Sequence, residues 1–140
     1  MNNNRPNNLL QIRPQILSAS IKDNMSDDER FQNLTLRPIL KLQEPLFIEV
    51  FKNYARKHKS VFYDLSLEKR MDYIENAILR DMKFRNSLKG MVIGQFTIEE
   101  YKTYIKNSSA LNKRMMLLVK NTLLNNLQLF EQTQRFTLSI

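Results

Sequence analysis

Apolar residues recur at three- and four-residue intervals along most of this chain. Phe47, Val50, Phe51, Tyr54 and His58 stand at i, i+3, i+4, i+7 and i+11, the spacing of one face of an α-helix. The pattern predicts a first helix after Ser26-Asp-Asp-Glu29, where Ser26 accepts an amide and the acids suit the positive helix end. Phe31, Leu34, Leu36, Ile39, Leu40 and Leu42 follow, with a kink or a restart at Pro38. Glu44-Pro45 marks the next start. Beyond it, Val61–Leu65 is a linker whose Phe62 and Tyr63 dock on the core. Ser66 caps a helix with Leu67, Met71, Ile74, Ala77 and Ile78 inward; Asp81 either continues it or begins another turn, and Gly90 is its C-cap. Thr97-Ile-Glu-Glu100 reads as a second capping box, and Asn107-Ser-Ser109 breaks the helix it starts. The span 110–131 then reads as the longest helix, apolar on two adjacent stripes, so that it is either the central helix or a seam between copies.

These elements give an all-α fold, a single bundle of about five helices over 26–131. A disordered Asn-rich tail (1–8), a helical arm interrupted by Pro14 (9–25) and a C-terminal tail (132–140) flank it. Residues 91–96 are the least legible stretch. Leu10-x-Ile12-Arg13-Pro14-x-Ile16 echoes Leu34-x-Leu36-Arg37-Pro38-x-Leu40, through coincidence or as two similar helix starts. Composition agrees with a helical fold. Two Gly and four Pro in 140 residues compare with roughly ten and seven at average usage, and sheet reversals need such residues.

The chemistry is narrow. No Cys is present, which removes disulfides, thiol nucleophiles and thiolate metal sites. Two Gly in unlike contexts cannot build a phosphate loop. The only His, His58, extends an apolar stripe and reads as structural. Asp27, Asp28, Glu29, Glu99 and Glu100 gather at helix starts, where capping explains them. No catalytic residue, metal site or cofactor is therefore expected. The N-terminus lacks the apolar core of a signal peptide, and the longest apolar run, 115–119, is far below the ~20 residues of a membrane span. The expectation is a cytoplasmic protein with no membrane contact.

What remains is charge. The net charge of +8 points to an acidic partner, although Asn, Lys and Ile enrichment is also the mark of an AT-rich genome. Two clusters stand out, Lys52/Arg56/Lys57/Lys59 and Arg80/Lys83/Arg85/Lys89, with Lys113 and Arg114 free to join either in space. Such groups hold phosphates as point charges or forks. No zinc, recognition-helix or aromatic-platform motif accompanies them.

Four stretches resemble a short bacterial all-helical family. They are Glu29-Arg-Phe-Gln-Asn-Leu-Thr-Leu-Arg-Pro-Ile-Leu-Lys-Leu-Gln43, Phe62-Tyr-Asp-Leu-Ser-Leu-Glu-Lys-Arg70, Arg85-Asn-Ser-Leu-Lys-Gly-Met-Val-Ile-Gly-Gln95 and Ser108-Ser-Ala-Leu-Asn-Lys-Arg-Met-Met116. Some members carry a glyoxalase label. Glyoxalases of the usual type are βαβββ modules with His and Glu metal ligands, a pattern this sequence does not reproduce, so the resemblance brings no site residues. Three functional expectations follow: a basic binding protein for nucleic acid, a ribonucleoprotein or an acidic protein; a protein–protein module or homo-oligomer joined through the 110–131 helix; and a glyoxalase-like enzyme.

Overall fold

Four short polar side chains set where helices begin. The Ser26 hydroxyl accepts the Glu29 amide at 3.1 Å, Ser66 that of Lys69 at 3.4 Å, and the Asp81 carboxylate that of Phe84 at 3.3 Å. Thr97 and Glu100 form a reciprocal capping box, with Glu100 N–H to Thr97 Oγ1 at 3.1 Å and Thr97 N–H to Glu100 Oε1 at 2.9 Å. Each satisfies amides that the first turn of a helix leaves without partners.

The computed structural model describes residues 4–16 and 23–130. Among them the chain runs through α1 (Arg5–Ile12), α2 (Asp27–Phe31), α3 (Arg37–Lys57), α4 (Leu67–Arg80), α5 (Met82–Ile93), α6 (Ile98–Tyr104) and α7 (Ser108–Leu124). No strand occurs among the described residues, and the fold is all-α. A π-helical turn, Gln32–Leu36, joins α2 to α3 without a break, so 27–57 is one continuous helical path. Short 3-10 turns, Val61–Asp64 and Ile105–Asn107, lead into α4 and α7.

The five-helix outline of the bundle holds, but one division falls elsewhere. Helix α3 passes straight through Pro45 instead of starting there. Leu40, Phe47 and Ile48 are buried on either side of Pro45, and the Gln43 amide donates to the Met91 carbonyl at 3.0 Å, so packing outweighs the missing donor. This makes α3, not α7, the longest helix. At Asp81, where the sequence allows either a continuation or a new turn, the new turn is found: Asp81 leaves helical geometry (φ −84°, ψ 97°) and caps a new helix, which separates α4 from α5. Pro38 behaves as expected of a restart, lying in the first turn of α3; the wider π turn before it relieves the crowding its ring would impose.

Smaller corrections follow the same logic. Gly90 lies within α5, and the C-cap is Gly94. Leu67 and Met71 are 63% and 42% exposed, because α4 turns inward only through Ile74, Ala77 and Ile78. Helix α7 ends at Leu124, where the Asn126 amide takes over the Thr122 carbonyl at 2.7 Å; a further helical turn, 127–130, brings Phe130 into the core. Residues 5–8, read as tail, belong to α1, with Pro6 in its first turn. The two Leu-x-(Ile/Leu)-Arg-Pro segments have opposite roles. Arg13-Pro14 follows the end of α1 in extended backbone, and Arg37-Pro38 begins α3. The expected C-terminal tail lies outside the described residues, as do residues 1–3 and 17–22.

Helix α7 packs against α3, α4 and α5 and is the centre of the bundle. Leu111, Met115, Met116, Val119 and Leu123 line its buried side. Around the end of α3 the core turns aromatic: Phe51 stands 5.1 Å from Phe62 and 5.0 Å from Phe130, centroid to centroid. Residues 91–96 also acquire a role. Phe96 is buried edge-on to Phe31 at 5.6 Å, and the carbonyls of Gly94 and Gln95 accept from Arg5 at 3.1 Å and Arg13 at 2.6 Å. Helix α1 has no buried residue, so two arginines at its ends hold the arm onto this turn.

Candidate anion-binding surface

The first basic cluster divides around the end of α3. Lys52 is only 16% exposed in its side chain and sits 3.3 Å from Glu49 Oε1, which neutralises it. Arg56 is exposed on the last turn, on the side where its charge acts on the Tyr63 phenol. Lys57 closes the helix and, like Lys59, is exposed. Lys59 and Ser60 take left-handed backbone, with φ 62° and 56°, and reverse the chain toward the 3-10 turn. A left-handed pair without glycine carries strain, and it places Lys59 beyond the end of α3, off the helix that carries Lys52, Arg56 and Lys57.

The second cluster divides as well: Arg80 and Lys83 line one cleft beside the α4–α5 junction, Arg85 lines another, and Lys89 lines neither. On one side, Arg80 and Lys83 meet His58 in an open cleft of about 740 Å³, whose walls include Tyr54, Tyr73 and Asn76. Its geometry centres on Tyr54. The Tyr54 hydroxyl donates to Asp81 Oδ2 at 2.8 Å while the other Asp81 oxygen caps α5. Tyr54 also lies 4.2 Å from the His58 ring and 4.1 Å from Phe84, and His58 Nδ1 is 2.9 Å from the Tyr54 carbonyl oxygen. Burial pushes the Tyr54 phenol well above its ordinary value, helped by the bond to Asp81. The Asp81 carboxyl is held low, first by Tyr54 and then by the Phe84 amide. The one acid lining this cleft among the described residues is thus committed to structure. Arg80 and Lys83 make no ion pair among the described residues.

On the other side, Arg85 faces Lys113 and Lys120 across a groove of about 410 Å³ floored by Met116 and walled by Leu79 and Leu117. Lys113 therefore joins Arg85, as the charge pattern allowed. Arg114 joins neither cleft: it donates to the Gln32 side chain at 3.0 Å and ties α7 to the π turn. Lys89 lies half-buried one turn beyond Arg85 on α5. Sequence reasoning missed Lys120, which the fold places beside Lys113 and 3.7 Å from Glu75. Its seven-residue offset from Lys113 puts both on one face of α7, the signal that could have found it. It also missed Tyr73, Asn76 and Tyr54 as cleft walls. Tyr73 and Asn76 stand seven and four residues before Arg80 on the same face of α4, a spacing that could have found them, whereas Tyr54 reaches the cleft only because α3 meets the α4–α5 corner.

Among the described residues no three or more His, Asp or Glu side chains converge in a way that could hold a metal ion. No helix among them is long and apolar enough to cross a membrane. No protein-family model, curated protein or solved structure matches this chain.

Proposed function

We propose that this protein is a non-catalytic binding module that contacts nucleic acid or a ribonucleoprotein through the α4–α5 corner, with the His58–Arg80–Lys83 cleft as its principal contact. The observation that carries this reading is the meeting of two cations, without ion-pair partners among the described residues, with three ring side chains in one open cleft. A guanidinium fork and an ammonium suit phosphate oxygens. Tyr73 and His58 offer ring surface to sugars and unstacked bases, which is how single strands are held without base-specific readout, and Tyr54, sandwiched between His58 and Phe84, braces His58 from behind. Lys57 and Lys59, exposed beside His58 in sequence, extend the positive field.

The homo-oligomer reading has less support, because the α7 stripe expected at a seam is largely consumed inside one chain; Leu117 is its one large apolar residue left more than half exposed. Glyoxalase-like chemistry finds no converging ligand set among the described residues. Fluorescence anisotropy with a labelled single-stranded RNA tests the proposal. Affinity should lie near 1–100 µM and fall steeply with salt. Reversing Arg80 and Lys83 to Glu should weaken it at least about tenfold with unchanged helix content. Equal binding by that variant, or none at low salt by the native chain, refutes the proposal.

A further inference from the structure

The groove between α4, α5 and α7 differs in kind from the His58 cleft. Its three cations, Arg85, Lys113 and Lys120, stand over aliphatic side chains alone: Met116 at the floor, and Leu79 and Leu117, 47% and 52% exposed, on the walls. Among the described residues no aromatic ring lines it. Nucleic acid has no aliphatic anchors to offer and gains most from aromatic faces, so this lining discriminates against it. Lys113 and Lys120 stand seven residues apart on α7, about two turns or ~10 Å along the axis. Leu117 lies between them on the same face. Among the described residues the one acid in contact with these cations is Glu75, 3.7 Å from Lys120, whose side chain is 22% exposed; Arg85 and Lys113 make no ion pair there and are the more available of the three.

We infer that this groove is a docking site for an acidic amphipathic helix of a partner protein, which sets leucine-like side chains between Leu79 and Leu117 and carboxylates against Arg85, Lys113 and Lys120. Apolar anchors at i, i+3 and i+4 fill the groove in the manner of other helix-in-groove complexes, and acids two turns apart match the spacing of the two lysines. Charge complementarity fixes direction and speeds encounter; the aliphatic walls distinguish this partner from a mere polyanion. The inference is independent of the nucleic-acid reading, since the two clefts share no lining residue.

The probe is a labelled helical peptide of about sixteen residues, with leucines three and four positions apart flanked by glutamates. A scrambled peptide of the same composition and a single-stranded RNA of equal charge serve as competitors. The patterned peptide should bind, and the scrambled one at least about fivefold more weakly. Leu117→Ala, and separately the pair Arg85→Glu with Lys113→Glu, should each weaken binding about fivefold or more, while Arg80→Glu with Lys83→Glu leaves it unchanged. Leu79→Ala is the second aliphatic probe should Leu117→Ala lose helix content. Equal affinity for the scrambled peptide, indifference to both leucine variants, displacement by the RNA, or loss in the Arg80/Lys83 variant would each overturn the inference. The last two outcomes place the peptide on the polyanion site and leave the nucleic-acid reading standing.

Discussion

Arg13 lays its guanidinium across Glu100, with Nη1 2.6 Å from Oε2 and Nη2 2.7 Å from Oε1. The same Nη2 reaches the Gln95 carbonyl at 2.6 Å. Glu100 meanwhile closes the capping box with the Thr97 amide and accepts the Thr35 hydroxyl at 3.2 Å. One carboxylate thus joins four parts of the chain: the arm after α1, the π turn, the α5–α6 turn and the start of α6. The arm carries no buried residue on α1 itself, so this fork, with Arg5 on Gly94, is what fixes it.

Arg13→Ala should therefore release the arm and destabilise the bundle by about 2–4 kcal/mol, because the Arg13 and Glu100 side chains are only 5% and 16% exposed and the carboxylate is left without its countercharge. Arg13 Nε is buried with no hydrogen-bond partner among the described residues, so the pair itself is imperfectly satisfied. Combining Arg13→Met with Glu100→Gln should consequently cost less than the sum of the two changes. Urea denaturation of the four proteins, read as a double-mutant cycle, measures the coupling; additive losses would show that the fork contributes no coupling of its own.

The same carboxylate sets an acid limit. Burial pushes the Glu100 carboxyl up, but the bonds and charge of Arg13, with the Thr97 amide and the Thr35 hydroxyl, outweigh it and leave the group below its ordinary value. A carboxyl lowered on folding contributes stability that is present above its unfolded value and is lost as pH falls through the folded one. Stability should drop on acidification below about pH 4.5, and Glu100→Gln should flatten that drop. Tyr54 works at the other end. Its phenol is raised on folding, so its contribution is complete below about pH 10 and is lost as pH climbs further. Tyr54→Phe should remove part of the alkaline loss. Thermal melts from pH 3 to pH 11 check both signs.

The two glycines should respond oppositely to alanine. Gly90 lies within α5, exposed, with nothing within 4 Å of an added Cβ. Gly90→Ala should stabilise by about 0.5–1 kcal/mol through helix propensity alone. At Gly94 a Cβ would stand 3.1 Å from the Gly90 carbonyl oxygen, on the C-cap turn whose own carbonyl Arg5 holds. Gly94→Ala should lose that gain or reverse it. Chemical denaturation of both variants decides, and a stabilised Gly94→Ala would mean that the turn yields freely.

Most of this fold was legible because its signals are local. Capping side chains act over three residues, and Ser26, Ser66 and Thr97 each begin a helix where the sequence says. On the stripe through α3, Phe47 and Phe51 are buried as its period requires and Val50 and Tyr54 are half-buried, but His58, read as its last member, is exposed where the helix ends. What could not be read depended on contacts distant in sequence. The Arg13–Glu100 fork spans 87 positions, and a helix-start acid beside an extended arginine carries no mark of its partner. The clefts were legible only as ingredients. Charge runs name cations without saying on which side of a helix corner they fall, so Arg80 and Arg85 read as one patch and face different grooves. Arg114 read as a free cation and is held by Gln32.

Pro45 is the sharpest conflict between local and distant preference. Local chemistry asks for a helix start: the ring removes the amide that would reach the Lys41 carbonyl and crowds the preceding turn. Yet α3 is unbroken from Arg37–Lys57, because Leu40, Phe47, Ile48 and Phe51 must share one buried face to close the core against α5 and α7. The helix therefore tolerates a defect, in keeping with the ~3 kcal/mol that an interior proline costs. Pro45→Ala should restore the missing donor and raise stability by about 1–2 kcal/mol, less than the full cost because the unfolded chain regains the freedom the ring withheld. Denaturant midpoints measured with an unchanged m-value would report that gain directly. A variant of equal or lower stability would show instead that the proline is accommodated without cost, and that residues 41–45 are already relaxed around it.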